Sequence, residues 1–320
     1  MLSIIITAYK EETTIAKAIE NIVNEKFSGL GRGNIDAQWE LIVVAPDDAT
    51  KSAARQEIES LGVPTNRFSI LTDKCEGKPK ALNMCFQQAK GDWLLLTDGD
   101  VYFGENAVTN LVKTAESDDK IGGVSGRPVS AQGKNTMFEY WGALLADAAD
   151  HKRKIDLTEE AVGKSKLIVK KREFFPLSGY AMLVRNIGTN LPEDVLIDDA
   201  YISYVLHNEG YKLVYEPEAK VFVKYPTTIS DFLKQKKRST GGYVQLWKYG
   251  VVQDKTKSRS FWRELEYFWF PIKYAKNLEQ MWWSLMLYPT RLWLWFKIYW
   301  ERKIVKKDFT KTWVRVETTK

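Results

Sequence analysis

Cysteine and histidine are scarce in this chain: Cys75, Cys85, His151 and His207 are all that 320 residues contain. Two thiols exclude a disulfide framework and any zinc site built on paired CxxC motifs. The two histidines stand far apart without metal-ligand spacing and read as surface or satisfied core residues. Low-complexity tracts and fixed-period repeats are absent, and a composition that is 44% hydrophobic is not that of a disordered chain. It suffices for one large core or two smaller ones. The opening MLSIIITAYKEE lacks a basic n-region and meets an acidic pair after a short apolar run. It reads as a first strand rather than a signal peptide, which places the body on the cytoplasmic side. A clean apolar run of about 20 residues is missing too. MWWSLMLYPTRLWLWFKIYW (281–300) is interrupted by Pro289, Arg291 and Lys297.

Charge and tryptophan are concentrated at one end. Residues 261–320 carry 12 Lys/Arg against 6 Asp/Glu and hold eight of the 12 tryptophans, whereas the first 260 residues balance at 35 basic and 35 acidic side chains. Tryptophan and tyrosine favour the headgroup region of a bilayer, and the flanking ERKIVKK (301–307) suits anionic lipid. The expectation is a tail over 251–320 of amphipathic aromatic helices lying on a membrane through the 261–307 region. A snorkelled or re-entrant span and an ordinary buried aromatic core are the alternatives. YFWFPIKYAK (267–276) adds a second aromatic, basic stretch with a proline break. Nucleic acid is not an expected partner, because no RNA-module motif accompanies the basic residues.

The first half alternates apolar runs with amphipathic stretches, the signature of a parallel sheet covered by helices. The spacing predicts strands over 2–8, 39–45, 67–71 and 92–97, with helices from TTIAKAIENIVNEKF, SAARQEIESLG and KALNMCFQQAKG, the last ending at Gly91 as a C′ glycine. GLGRG (29–33) follows a helical pattern and opens no new helix, so it reads as a loop rather than a dinucleotide fingerprint. Beyond residue 120, GGVSGRPV reads as a strand and NTMFEYWGALLADAADHKRK as a helix, followed by a charged, poorly patterned segment to about residue 173. FFPLSGYAMLVRN reads as a turn into a strand, and LIDDAYISYVLHNEG as a loop opening a helix. YKLVYEPEAKVFVKYP reads as two short strands around Pro217, and TISDFLKQKKRSTGGYVQLWKYG as a basic helix.

In such sheets ligands sit outside the carboxyl ends of the strands. There LLLTDGD ends a buried run in two carboxylates, Asp98 and Asp100, with Gly99 letting the backbone turn so that both approach one point. Hard divalent cations take one or two carboxylates plus phosphate oxygens. A plain turn explains the tripeptide equally well. The neighbouring strands end in TAYKEE and APDD, and EGKPKALN puts Lys78 and Lys80 before a helix, where anions are favoured. That set suits a metal-bridged diphosphate.

These residues resemble the inverting family 2 glycosyltransferases of the GT-A fold, in the membrane-associated synthase branch, from residue 2 to about 249. SIIITAYKEETTI is similar to the opening nucleotide-binding strand and loop, with Thr7 where a proline is common; LIVVAPDD to the base-holding acidic motif, with Pro46 first; GKPKALN to the lysine motif; and TDGD to the metal-binding DxD. SGYAMLVR resembles the acceptor-side strand and LPEDVLIDDAYIS the catalytic acidic segment. QKKRS matches the QxxRW motif at Gln235 and Arg238, with Ser239 in place of tryptophan.

The resemblance implies an α/β fold, a GT-A, Rossmann-like mixed sheet with helices on both faces. The glycosyltransferase domain would span 1–250, with a nucleotide-sugar half (1–120) and an acceptor half (121–250). A nucleotide sugar, with a UDP-sugar expected, would meet Thr7, Ala8, Tyr9, Glu11, Asp47, Asp48, Lys78, Lys80, Asp98, Gly99, Gln235 and Arg238. Mn²⁺ or Mg²⁺ would sit on Asp98 and Asp100, the acceptor beside Ser178, Gly179 and Tyr180. Asp199 would be the base and Asp198 its acidic neighbour; helix N-capping is the plain alternative for that pair. TWVRVETTK (312–320) resembles the end of synthases in this branch, so the usual membrane channel would be absent or shortened. Single transfer to a lipid-linked or membrane-proximal glycan is then expected, with processive synthesis through a membrane-protein partner, or a homo-oligomer, as the alternative. A sugar nucleotidyltransferase would open with a glycine-rich GxGTR loop, which TAYKEE is not. A non-catalytic scaffold would have lost the acidic ligands that remain here.

Overall fold

A computed structural model describes residues 1–25, 38–159, 167–169, 174–252 and 267–303. GLGRG, much of the charged segment before residue 173, the last four residues of ERKIVKK and all of TWVRVETTK lie outside the described residues.

The first strand, β1 (Leu2–Thr7), is buried along its whole length, as a strand covered on both faces must be. Its side chains alternate: Ile4 and Ile6 enter one apolar cluster and Ile5 the other. Parallel partners flank it, β2 (Trp39–Val44) and β4 (Trp93–Asp98), with β3 (Phe68–Leu71) outside β2. The sheet continues through β5 (Tyr102–Phe103), β6 (Ile121–Ser130), β7 (Leu157–Glu159), β8 (Leu167–Val169), β9 (Met182–Arg185) and β10 (Lys212–Val223). The strand order is β3-β2-β1-β4-β9-β6-β10-β8-β7, with β5 paired to β10. Because β9 runs antiparallel between β4 and β6, the sheet is mixed.

Helices cover both faces. On one side lie α1 (Ile15–Val23), α2 (Asp48–Ser60) and α4 (Ala107–Ala115); on the other, α3 (Lys78–Gln88) and α6 (Asp198–Asn208). The spacing of Ile15, Ala18, Ile19 and Ile22 gives α1 one apolar stripe, and all four are buried. Two long helices, α5 (Met137–Asp156) and α7 (Ile229–Lys248), carry the third cluster, where Tyr140, Trp141 and Phe232 meet Leu287. Leu287 belongs to α9 (Leu278–Lys303), which follows the short α8 (Phe270–Tyr274).

Three expectations change. Gly91 is not an αL C′ residue: α3 ends at Gln88 with Ala89 as its cap, and Gly91 is absent from the positive-φ residues. A Cβ at Gly91 would stand 2.5 Å from the backbone nitrogen of Ser3, so the position needs glycine for close approach to β1. The helix expected from Ser52 starts at Asp48, because Asp47 accepts the Thr50 N–H and caps it. The two strands expected around Pro217 are one, β10, whose register against β6 shifts between Tyr215 and Lys220.

Candidate active site

At the carboxyl ends of β1, β2 and β4 lies a cavity of about 510 Å³. The register explains its floor. Thr7 pairs with Asp98 across β1 and β4 and with Val44 across β1 and β2, so the three parallel strands run out together. The Thr7 hydroxyl donates to Asp98 Oδ1 at 2.7 Å. Gly99 is required by space rather than by φ. A Cβ there would lie 2.5 Å from Glu11 Oε2 and 2.7 Å from Ile15 Cδ1, and its N–H donates to the Thr7 carbonyl.

Of the residues expected to bind nucleotide sugar, Thr7, Ala8, Tyr9, Glu11, Lys78, Asp98, Gln235 and Arg238 line this cavity, together with Asp100, Tyr180 and Asp198. Lys78 is the junction. Its Nζ lies 2.6 Å from Asp98 Oδ1 and 3.6 Å from Asp198 Oδ2. Burial alone would lower its pKa, but Asp198, Asp98 and Asp199 outweigh that and hold the ammonium well above the usual lysine range. Gly77, at φ 110°, turns the chain into α3 just before it, a conformation that strains any side chain.

Asp199 stands behind Asp198 rather than in the cavity wall. Its Oδ2 accepts from the Gly179 N–H at 3.1 Å and its Oδ1 from the Ala200 N–H at 2.8 Å. Burial and the neighbouring Asp198 raise its pKa; the two N–H donors and Lys78 oppose them. Thus Asp198 faces the lysine and Asp199 faces the turn before β9. Tyr180 lines the cavity beyond that turn, its phenol pushed up to about 12 by burial. Ser178 lies deeper, donating its N–H to Ser125 Oγ.

Three expected residues stand apart from the cavity wall. Asp47 is occupied at both oxygens, by the Thr50 and Lys10 N–H groups. Asp48 is exposed and paired with Lys51 at 2.8 Å. Lys80 reaches Glu193 at 3.0 Å and Glu76 at 3.2 Å. In their place the wall contains Pro46, Asp73, Cys75, Glu76, Val195, Leu196 and Lys224. Asp73 was findable: it follows β3 as Asp47 follows β2, and the carboxyl-end rule covers every parallel strand. Burial raises its pKa, and Asp47 adds to that.

The α9 helix has two unlike faces. Ser284, Leu287 and Leu294 are buried, and Ser284 accepts or donates a hydrogen bond with Tyr140 at 2.7 Å. Leu278, Trp282, Leu285, Leu292, Trp293, Phe296, Tyr299 and Trp300 are exposed, at the three- and four-residue spacing of a single stripe. Part of the aromatic tail is therefore core and part is surface. No helix among the described residues is long and apolar enough to cross a membrane.

Fold and cavity together define a nucleotide-sugar transferase of the GT-A type. Two family patterns match, "Glycosyl transferase family 2" over residues 3–170 and "Glycosyl transferase family group 2" over residues 93–300, and the chain belongs to glycosyltransferase family 2. It is 23% identical over 262 residues to poly-β-1,6-N-acetyl-D-glucosamine synthase of Staphylococcus aureus strain COL, covering 80% of this chain and 58% of that protein. The chain thus spans less than two thirds of the length of such relatives. Among solved structures it resembles the mannosyltransferase PcManGT from Pyrobaculum calidifontis in complex with GDP-Man and Mn²⁺, with TM-score 0.60 and 17% identity over 96% of this chain and 88% of that one. TarS of S. aureus gives TM-score 0.51 and 12% identity over 93% of this chain and 54% of that one. These two likenesses show the fold.

Proposed function

We propose that the chain is an inverting glycosyltransferase that moves a sugar from a UDP-sugar to a lipid-linked or membrane-proximal glycan. The observation that carries this reading is the meeting of Asp98 and Asp198 at one lysine on the wall of one cavity. The end of β4 and the start of α6 are distant in sequence, and neither needs the other to form a turn or a cap.

Asp98 and Asp100 fit a divalent metal. They are adjacent hard-oxygen donors on the cavity wall, and Mn²⁺ or Mg²⁺ is commonly held by one or two carboxylates, with water and phosphate oxygens completing the shell. Among the described residues no group of three or more His, Cys, Asp or Glu stands at metal-holding spacing, so these two would be its protein ligands. Bound there, the ion would offset the charge of a departing diphosphate. The chain's own cations do the same work: the α3 N-terminus, Arg238 and Lys224 all border the cavity. Asp199, on the Gly179 side, takes the proton of the acceptor hydroxyl as it attacks the anomeric carbon in line, which inverts configuration. Its raised pKa suits a base, and Asp198 orients Lys78 between donor and acceptor sides.

The exposed stripe of α9 rests on a membrane surface. Lys273, Lys276, Arg291 and Lys297 flank the aromatics, and such cations favour anionic lipid by about 1 kcal/mol each near the surface. That placement suits a lipid-linked acceptor on the cytoplasmic face. The likeness to a polymer synthase favours a second reading, in which the chain elongates a polysaccharide with a membrane-protein partner. N-Acetylglucosamine is accordingly the first sugar to try.

The test is transfer and hydrolysis of UDP-, GDP- and dTDP-sugars with and without Mn²⁺, by the wild type and by Asp199→Asn. Turnover of a UDP-sugar that needs the metal and disappears in the variant is expected. An inert wild type, or a fully active variant, would overturn the mechanism.

A further inference from the structure

The carboxylate pair at Asp198 and Asp199 is delivered by the segment Leu191–Ile197, which has no sheet ladder to hold it. Three of its peptide groups instead meet amide side chains from two different helices. Asn83, on α3, donates from Nδ2 to the Leu191 carbonyl at 2.8 Å and accepts the Leu191 N–H at its Oδ1, also at 2.8 Å. Gln245, on α7, accepts the Leu196 N–H at 2.9 Å and donates from Nε2 to the Asp194 carbonyl at 2.6 Å. Its side chain is 2% exposed, and Tyr249, one turn on, donates to Asp194 Oδ1 at 2.5 Å.

Steric contact adds to this grip. Gly242 on α7 faces Ile197, the residue immediately before the pair; a Cβ at Gly242 would lie 2.7 Å from both Ile197 Cγ1 and Cγ2. The same helix sends Gln235 and Arg238 into the cavity. So α7 touches the cavity with its first half and the carboxylate-bearing segment with its second, while α3 places Lys78 in the cavity and Asn83 on the far end of that segment. Neither Asn83 nor Gln245 lines the cavity.

We propose that Asn83 and Gln245 are positioning residues for the reaction: paired amide clamps that set the placement of Asp198 and Asp199 against Lys78, with Gly242 as the steric stop. The inference rests on the reading that this carboxylate pair drives transfer. An amide is suited to the task because it presents a donor and an acceptor together and matches both halves of a peptide group, as a neighbouring strand would. A carboxylate or a hydroxyl of similar size matches one half only. An error of about 1 Å in a base can cost about 100-fold in rate without loss of substrate binding.

The experiment uses the full chain. Gln245→Met keeps the volume and removes both hydrogen bonds; Gln245→Glu keeps the acceptor for Leu196 and removes the donor to Asp194. For each, kcat and KM for the UDP-sugar are measured beside calorimetric binding of UDP with Mn²⁺ and the melting temperature. The expected result is a fall in kcat of about 10- to 100-fold in Gln245→Met, a smaller fall in Gln245→Glu, and UDP binding close to wild type. Wild-type kcat in Gln245→Met overturns the proposal, as does a parallel loss of UDP binding and kcat, which marks general destabilisation. If Gln245→Met fails to fold, Gly242→Ala and Tyr249→Phe decide. A lowered kcat with UDP binding retained in Gly242→Ala supports the clamp, and unchanged kcat in both overturns it. Asp199→Asn separates the two levels: if it is active, the catalytic reading fails; if it is inert while Gln245→Met is normal, only the clamp fails.

Discussion

The carboxyl edge of the sheet and the outer face of α9 use hydrophobic residues in opposite ways. At the sheet, Ile4, Ile5 and Ile6 are fully buried, and the apolar material ends where Thr7 and Asp98 begin. On α9 the aromatics stay outside: Trp282 is 58% exposed and Trp293 57%. The first pattern is spent on folding and leaves a polar cavity. The second leaves a contiguous apolar stripe that folding does not need, and such stripes mark surfaces for partners or lipid. Buried aliphatic strands thus position the chemistry, while the exposed aromatics decide where it takes place.

The largest test of that division is Asp199→Asn. Loss of a general base is expected to lower kcat on the order of 10³-fold, about 4 kcal/mol of transition-state stabilisation, while binding to anionic liposomes stays at the wild-type level. A variant that also leaves the liposomes would break the separation between the two regions.

Next come two tryptophans of the C-terminal half. Trp141 is 1% exposed and donates its indole N–H to the Trp283 carbonyl at 2.7 Å, so it ties α5 to α9. Trp141→Ala should cost about 3–4 kcal/mol of stability, read by chemical denaturation. Trp282→Ala removes a ring that folding leaves in solvent and should change stability by less than about 0.5 kcal/mol, yet weaken liposome sedimentation. Equal stability losses in the two would mean that the outer stripe is core after all.

Lys78→Met has a smaller expected effect. It leaves Asp98 and Asp198 facing each other without the ammonium between them. Loss of its charge-assisted bonds should weaken UDP-sugar use by about 2 kcal/mol in kcat/KM, again without effect on liposomes.

Much of the sheet edge was legible because it obeys local rules. Alternation and buried runs mark β1 to β4, and the strand ends at Thr7 and Asp98 follow from where the apolar residues stop. The base side was harder, because aspartate has two uses after a strand. Asp47 caps α2 and holds the Lys10 N–H, whereas Asp73, in the same topological position after β3, lines the cavity. Only the tertiary arrangement tells a capping carboxylate from one that faces the ligand. Asn83 and Gln245 escaped for another reason. Their partners are main-chain groups of Leu191, Asp194 and Leu196, and no pattern of side chains announces a backbone contact across the sequence. In α9 the composition pointed to an amphipathic helix, but which stripe would be inner depended on Tyr140 and Trp141 arriving from α5.

The finest prediction concerns pH. Asp199 faces Asp198 from its own helix, Lys78 from α3, and the Gly179 N–H from the turn before β9; burial and Asp198 together set its pKa above the ordinary carboxylate range. A base works unprotonated, so kcat should fall as pH drops through that raised value, with a midpoint above that of a free aspartate. Stability runs the other way. A carboxyl raised on folding holds its proton more tightly in the folded chain, so its contribution is present below the unfolded value and is lost as pH rises through the folded one. Asp198→Asn removes the like charge and should move the kcat midpoint downward, whatever it does to the height of the profile. A midpoint that stays in place, with activity still depending on Asp199, would show that desolvation alone tunes the base and that Asp198 serves only Lys78.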